Sequence, residues 1–193
     1  MSDSAAPAIA ETVTCRGETF RIYLDAETIA RRVAEIGRAI SEEYEGQRPI
    51  LIGVLNGAYM FLADLMRAVT IDCEVDFLKL SSYGAEKVSS GTVTELKKID
   101  AQIEGRHVIV VEDIVDTGLS MQFITDLMKE AKPASVKTAT LLHKKAATNP
   151  DLNLRLDYVG FEIDNLFVIG YGLDYGQLAR NLPAIYILED QAA

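Results

Sequence analysis

The chain has 193 residues, of which 49% are hydrophobic and 25% charged, proportions typical of a soluble globular protein. This length predicts a single domain over 1–193. The formal net charge of -10 argues against a nucleic-acid partner, because phosphate backbones are bound by clustered Lys and Arg.

The N-terminal residues 1–14 lack both the cationic start and the apolar core of a secretion signal, so we interpret them as a loose tail. No run approaches the roughly 20 apolar residues of a membrane span. Cys15 and Cys73 fit no metal-binding spacing, and two thiols in a chain of this size indicate a reduced compartment rather than a disulfide scaffold. We therefore expect a cytoplasmic protein without a membrane partner.

The first regular elements are an amphipathic helix and a strand–turn–helix unit. Asp25 is a candidate N-cap, and apolar residues then recur at helical spacing up to Tyr44. Pro49 to Leu55 reads as a buried strand, which Asn56 and Gly57 interrupt before the next helical pattern. The turn at 55–57 exposes backbone N–H groups that could face an anion, although other strand–helix connections look similar.

A strand is predicted over Ile71 to Leu80, and the polar segment 81–95 follows it. A loop of that length inside a compact domain has either a function or no fixed structure. Two interpretations remain open, a hairpin tip without a role and a mobile lid that excludes water from a reactive site.

The most informative stretch is Val108 to Ser120, with the sequence VIVVEDIVDTGLS. Four apolar residues predict a strand buried on both faces, which surfaces at Glu112 and Asp113 and is followed by a turn and a helix. A turn before a helix N-terminus presents N–H groups to a phosphate, and Gly118 allows close approach. Adjacent carboxylates can accept hydrogen bonds from a ribose diol and hold Mg²⁺ through water. The pattern predicts a cradle for a ribose 5-phosphate.

Parts of this stretch also fit two alternative assignments. Asp116 or Thr117 could be an ordinary N-cap, with the acidic pair a solvated strand end, and spacing alone does not separate this from the cradle. The sequence Asp-Thr-Gly also occurs in aspartic proteases, but that site needs an all-β setting and a second copy of the motif. The chain offers neither.

Strands are further predicted over Val136 to Leu142, Leu166 to Ile169 and Ala184 to Leu188, the last closing the sheet. The sequence GYGLDYG at 170–176 has the wrong glycine spacing for a dinucleotide-binding turn, and no helix of normal length follows it. Strands that alternate with helices predict an α/β fold with a doubly wound, mostly parallel sheet and a site at the carboxyl ends of the strands.

The segment Val108 to Ser120 resembles the phosphoribosyl pyrophosphate signature of type I phosphoribosyltransferases. The sequences LLHKK at 141–145 and DYVGFEIDNLFVIGYGLDYGQLARNLP at 157–183 resemble the purine-binding segments of the hypoxanthine(-guanine) phosphoribosyltransferases. This resemblance extends from Ile50 to Leu188. It implies a small hood subdomain formed by the N- and C-terminal segments.

The implied reaction is purine salvage, in which N9 of hypoxanthine or guanine displaces pyrophosphate from C1 of phosphoribosyl pyrophosphate. The resemblance also implies Mg²⁺ as cofactor and a homodimer or homotetramer. Asp116 is the implied general base or proton relay at N7 of the purine.

The remaining roles are implied by position. The phosphoribosyl group and its 5'-phosphate are assigned to Glu112, Asp113, Asp116, Thr117, Gly118, Leu119 and Ser120. Pyrophosphate is assigned to Leu55, Asn56, Gly57, Ser82, Tyr83 and Arg180. The purine is assigned to Lys144, Phe167, Val168 and Asp174, and the metal to Glu112, Asp113 and Asp174. The middle residue of the 55–57 turn is often Lys in this family, so Asn56 removes a cation, whereas a role for the backbone of this turn survives the change.

Two rivals come from other functional classes. A regulatory protein with the same fold could bind RNA, but it would need a basic patch that this acidic sequence lacks. A receiver domain would carry its acidic pair near the first strand, whereas here the pair follows residue 110.

Overall fold

The structure is a computed structural model, and it describes residues 9–82, 93–97, 99–152 and 154–191. The strands are β1 Thr12–Cys15, β2 Glu18–Leu24, β3 Ile50–Leu55, β4 Glu74–Ser82, β5 Val93–Lys97, β6 His107–Val115, β7 Ser135–His143, β8 Tyr158–Glu162, β9 Val168–Ile169 and β10 Ile185–Leu188. The helices are α1 Ala26–Glu43, α2 Tyr59–Ala68 and α3 Leu119–Glu130, with a final 3-10 turn at Glu189–Gln191.

The main sheet has six strands in the order β5-β4-β3-β6-β7-β8. The pairs from β4 to β8 are parallel, and only β5 is antiparallel to its neighbour. Helices α1 and α2 cover one face and α3 covers the other, so apolar residues are needed on both sides of the central strands. The predicted α/β fold with a mostly parallel sheet is confirmed.

The central strands alternate between the two cores. Leu51, Ile109 and Val111 face α1 and α2, whereas their neighbours Ile50 and Val110 face α3. All five residues are fully buried, which explains why these strands read as continuous apolar runs rather than as polar–apolar alternations.

A second, four-stranded sheet with the order β1-β2-β10-β9 forms the hood that the resemblance implied. The segment Ala184 to Leu188 was expected to close the main sheet, and this is wrong, because β10 pairs antiparallel with β2 and β9 instead. The predicted tail over 1–14 is also too long, since β1 begins at Thr12. The strand predicted over Leu166 to Ile169 is limited to the two residues of β9.

The first helix begins as its sequence predicts. The Asp25 carboxylate accepts a hydrogen bond from the Thr28 backbone N–H at 2.7 Å and so satisfies a donor that the helix leaves free. Farther along, Gly37 lets α1 approach α2 closely, because a Cβ there would lie 2.5 Å from Cβ of Ala68. In the part of the chain that the structure describes, no helix is both long and apolar enough to cross a membrane.

The polar segment 81–95 is shorter as a loop than the sequence indicates. Strand β4 continues to Ser82 and β5 begins at Val93, and these two residues are paired across the antiparallel ladder. Residues 83–92 lie outside the described residues, so the predicted lid stays a prediction.

A buried carboxylate anchors the chain at the far end of β5. Oδ1 of Asp76 accepts hydrogen bonds from the Phe77 N–H and the Lys97 ammonium, and Oδ2 accepts from the N–H groups of Asp100 and Ala101. Burial by itself raises the pKa of this carboxyl, but the hydrogen bonds from Ala101, Phe77 and Lys97 outweigh it and hold the pKa below 3.8. The carboxylate therefore stabilises the fold mainly in its ionised form.

We expect Asp76→Asn to lower the free energy of unfolding by about 2 to 4 kcal/mol at pH 7, because an amide NH₂ would face two backbone donors. Since the folded-state pKa is below the unfolded value, the contribution is present above pH 3.8 and fades as the pH falls further. Urea unfolding at pH 7 and at pH 3 checks this. Asp126→Asn, on the exposed face of α3, is the control and should change stability little.

Candidate active site

The acidic pair lies at the carboxyl edge of the main sheet. The sequence indicated that the strand would surface at Glu112, but β6 continues to Val115, so Glu112 and Asp113 lie inside the strand and close to the sheet core. Beyond them the chain lines a cavity of about 150 Å³. Its lining is continuous in sequence from Glu112 to Gly118, with Ser120 and Met121 completing it.

The turn after β6 leaves its backbone donors available. The N-cap of α3 is Gly118, at φ 85°, and among the described residues no side chain makes a capping hydrogen bond to this helix. The alternative in which Asp116 or Thr117 is an ordinary N-cap is therefore wrong. An added Cβ on Gly118 would be strained at this φ and would lie 2.9 Å from the Leu154 side chain, so the turn requires glycine. The backbone N–H groups at the start of α3 can therefore donate hydrogen bonds to an anion.

The two carboxyl groups of the pair are in an unfavourable environment. Oε2 of Glu112 is buried and has no hydrogen-bond partner among the described residues. Burial raises the pKa of the Glu112 carboxyl well above its usual value, and the adjacent Asp113 raises it further. Burial also raises the pKa of Asp113, against opposing effects from Glu112, the Ile114 N–H and the charge of Arg180. Such a pair is poised to accept hydroxyl donors or a cation.

A lysine and an aspartate from two neighbouring strand ends meet beside the cavity. The Lys144 ammonium donates to Oδ2 of Asp116 at 2.9 Å. Lys144 is only 9% exposed, and its backbone N–H donates to the Val115 carbonyl at 2.9 Å. The Thr148 hydroxyl donates to the Asp116 backbone carbonyl at 2.8 Å and so stabilises the turn that carries Asp116. The structure thus joins two residues that the sequence placed in separate motifs.

Two glycines bring three segments of the chain together at the predicted pyrophosphate turn. A Cβ on Gly57 would lie 1.6 Å from Oδ2 of Asp113, and a Cβ on Gly172 would lie 2.1 Å from the Gly57 carbonyl oxygen. The Leu55–Asn56 peptide in this turn is cis. The turn at 55–57 therefore packs directly between the acidic pair and the hood segment around Gly172.

The hood segment supplies a carboxylate and a guanidinium that are paired with each other. Oδ1 of Asp174 lies 2.7 Å from the Arg180 guanidinium, and Oδ2 accepts from the Gln177 N–H at 2.7 Å. Arg180 also donates to the Gly172 carbonyl at 2.8 Å. These contacts hold the loop 172–180 together internally, and Gly172 is the residue of this loop that packs against the turn at 55–57.

Phe167 presents an aromatic face at the edge of the hood. It is 39% exposed although it lies among apolar residues, and its ring centroid is 5.3 Å from that of Tyr175 and 6.1 Å from that of Phe20. Its backbone N–H donates to the Gln191 side chain at 2.7 Å. Val168, the next residue, is buried in β9. Phe20, which contacts this ring, and Gln191, which accepts from the Phe167 backbone, could not be identified from the sequence, because only the tertiary fold brings them to this residue.

The remaining predicted residues are only partly covered. Ser82 is the last residue of β4, and Tyr83 lies outside the described residues. Over the described ranges, Glu112, Asp113 and Asp174 do not come together as one preformed group of metal ligands. The adjacent acids and the unpartnered Oε2 of Glu112 still form a set of hard oxygen donors, which is the chemistry that Mg²⁺ requires.

Comparison with known proteins identifies relatives of this chain. A family model described as "Phosphoribosyl transferase domain" matches residues 21–176. A hypoxanthine-guanine phosphoribosyltransferase of Aquifex aeolicus is 44% identical over 176 residues, which cover 91% of this chain and 98% of the relative. The bifunctional protein TilS/HprT of Listeria monocytogenes is also 44% identical, and the matched part, 89% of this chain, spans only 26% of that longer protein.

Solved structures give the same result. A hypoxanthine phosphoribosyltransferase from Staphylococcus aureus superimposes with a TM-score of 0.83 at 34% sequence identity, covering 89% of this chain and 92% of that protein. The resemblance noted in the sequence is thereby confirmed at the level of the family and of the fold.

We expect Glu112→Gln to raise the free energy of unfolding at pH 8 by about 1 to 3 kcal/mol, because an amide carries no charge and a buried charged group without a partner costs more than a neutral one. A carboxyl with a raised folded-state pKa loses stability as the pH rises above its unfolded value of 4.5, and an amide does not. The gain should disappear below pH 4. Thermal unfolding from pH 4 to pH 8 measures it, with the exposed Glu104→Gln as control. A variant that is less stable than the native protein at pH 8 would contradict the environment described for Glu112.

Proposed function

The chain belongs to the phosphoribosyltransferase family, and from that membership we propose that it transfers the 5-phosphoribosyl group of phosphoribosyl pyrophosphate to N9 of hypoxanthine and guanine. One observation carries the choice of base. The Lys144 ammonium and the Asp116 carboxylate lie 2.9 Å apart beside the proposed phosphate site. This pair offers a donor next to an acceptor, which complements the acceptor O6 and the neighbouring N7–H of a 6-oxopurine.

The donor substrate is held in two parts. The amide groups of the turn 116–119, with the hydroxyls of Thr117 and Ser120, bind the 5'-phosphate at the positive end of α3. Glu112 and Asp113 accept hydrogen bonds from the two ribose hydroxyls. This division follows charge, because the acids would repel the phosphate and the amide-lined turn would not bind a diol tightly.

In the reaction a bond forms between N9 of the purine and C1 of the ribose, while the bond from C1 to the pyrophosphate oxygen breaks. Positive charge builds on the ribose ring, as in glycoside hydrolysis, and the acidic pair that binds the ribose hydroxyls favours that charge. Asp116 takes the proton that the purine releases at N7. General base catalysis of this kind contributes about 10²- to 10⁴-fold to the rate.

The purine is held by contacts on its face and its edge. Phe167, supported by Phe20 and Tyr175, stacks on the ring, and the Val168 backbone contacts the base edge. Lys144 donates to the 6-oxo group. Because an ammonium carries only donors, it pairs with the carbonyl of hypoxanthine or guanine and not with the amino group of adenine.

Glu112, Asp113 and Asp174 would hold Mg²⁺. When bound, the ion neutralises charge that builds on the departing pyrophosphate. Mg²⁺ is usually held by one or two carboxylates, waters and substrate phosphates, so the donor set of this chain fits without a closed protein cage.

The leaving pyrophosphate is assigned to the turn 55–57, to Arg180, and to Ser82 and Tyr83 at the start of the lid predicted between β4 and β5. We further propose that the protein is cytoplasmic, where its free thiols Cys15 and Cys73 would stay reduced, and that it forms a homodimer or homotetramer. Sedimentation velocity at micromolar concentration tests the assembly.

The reaction itself is tested with purified protein, Mg²⁺, phosphoribosyl pyrophosphate and hypoxanthine, guanine, xanthine or adenine in separate assays. We expect the nucleoside monophosphates of hypoxanthine and guanine, and very little from adenine. EDTA should abolish turnover and added Mg²⁺ should restore it. No nucleotide from any base would contradict the proposal, and full turnover in EDTA would contradict the metal assignment alone.

The role of Lys144 is tested by Lys144→Gln. The variant should narrow the ratio of kcat/KM between hypoxanthine and adenine by on the order of 100-fold, because glutamine can donate or accept. The ratio is the useful quantity, since any damage to Asp116 slows both bases alike. Lys145→Gln is the matched control, because that lysine is exposed and paired with Glu162. An unchanged ratio would assign base choice to the backbone at Val168.

A further inference from the structure

The turn at 55–57 has a lysine neighbour that no sequence motif connects with it. The Lys79 ammonium donates to Oδ1 of Asn56 at 3.3 Å. The two residues are 23 positions apart, but β3 and β4 are parallel and Lys79 is the register partner of Leu55. Strand pairing therefore fixes the root of the lysine side chain beside the turn.

The chemistry of this contact orients the asparagine. An ammonium has donors only, so it must meet the amide oxygen of Asn56, and the amide NH₂ then points to the other side of the group. Lys79 and Asn56 together form a unit with several unused donors, namely the remaining ammonium hydrogens and the two amide hydrogens. Such a unit suits an anion.

Two other described cations near this edge are already paired with carboxylates. Lys97 is paired with Asp76 and Asp100, and Arg180 with Asp174. Within the described ranges, Lys79 makes no ion pair, and the partner of its ammonium is a neutral amide. In a chain of net charge -10, a cation that is left without a carboxylate beside an anion-binding turn has a charge to offer.

The position of the turn indicates which anion. Asn56 precedes Gly57, which packs between Asp113 and Gly172, so the Lys79–Asn56 unit adjoins the junction of the ribose acids and the hood. The 5'-phosphate seat is on a different strand end, after β6. In the proposed reaction the pyrophosphate is the second anionic group of the donor, and the turn at 55–57 is the segment assigned to it.

The geometry points to Lys79 as the cation of the pyrophosphate subsite, acting with the Asn56 amide in place of a lysine within the turn. This inference rests on the proposed function and extends it to a residue outside the motifs. Lys79 on β4 would thus supply the positive charge that a lysine at position 56 would otherwise provide.

The test measures pyrophosphate directly as a product inhibitor, in the presence of Mg²⁺. In Lys79→Gln we expect the inhibition constant of pyrophosphate and the KM of phosphoribosyl pyrophosphate to rise about tenfold to a hundredfold, as expected when one charged hydrogen bond is lost. The KM of hypoxanthine should change less than about twofold, since Lys144 and not Lys79 meets the base. Lys129→Gln, an exposed lysine on α3, is the matched control and should leave all three values unchanged.

The double variant Asn56→Lys with Lys79→Asn returns the cation to the turn and should restore the pyrophosphate inhibition constant to within a few-fold of the native value. A merely structural lysine would not be rescued in this way. An unchanged inhibition constant in a folded Lys79→Gln protein, or a folded double variant without rescue, would overturn the inference. If the native protein makes no nucleotide at all, the proposed function fails instead, and the two failures are thereby distinguished.

Discussion

The close approach of three backbone segments at Gly57 is the constraint on which the rest of the site depends. The turn at 55–57 lies so near Asp113 and Gly172 that neither glycine has room for a Cβ. Because the segments belong to the turn after β3, to β6 and to the hood, this contact sets the distance between the carboxyl edge of the main sheet and the hood. Packed interiors tolerate little adjustment of this kind, so the relative position of the two halves is defined by direct atomic contact rather than by loop length.

The acidic pair shows how the fold gives up stability for chemistry. Glu112 and Asp113 occupy positions in β6 between the fully buried Val111 and the partly buried Ile114, and Oε2 of Glu112 lacks a partner among the described residues. Elsewhere the same fold satisfies a buried carboxylate completely, as the four hydrogen bonds to Asp76 show. A fully hydrogen-bonded carboxylate such as Asp76 is typical of a structural role, whereas a buried carboxyl without a partner, such as Glu112, is typical of a ligand-binding site.

The sequence was sufficient for the parts of the molecule that depend on local pattern. The buried runs of β3 and β6, the N-cap of α1 and the turn before α3 all follow from periodicity and side-chain chemistry. It was insufficient where partners are distant, since β10 is as apolar as a central strand yet pairs with β2 in the hood. The support of Phe167 by Phe20 has the same cause, because no spacing rule connects residues that far apart.

The parallel register of the main sheet has a consequence for how members of this family are compared. Residues that are register partners on neighbouring parallel strands, such as Leu55 and Lys79, lie side by side although they are far apart in the chain. A side chain of given charge can therefore change strands during evolution while the ligand still meets it at one place. A sequence alignment would show such a change as the loss of a charged residue at one position and an unrelated gain at another. A comparison of residues paired across neighbouring strands would show that the charge stays at the same place in the sheet. Relatives are best compared along the rungs of the sheet as well as along the chain.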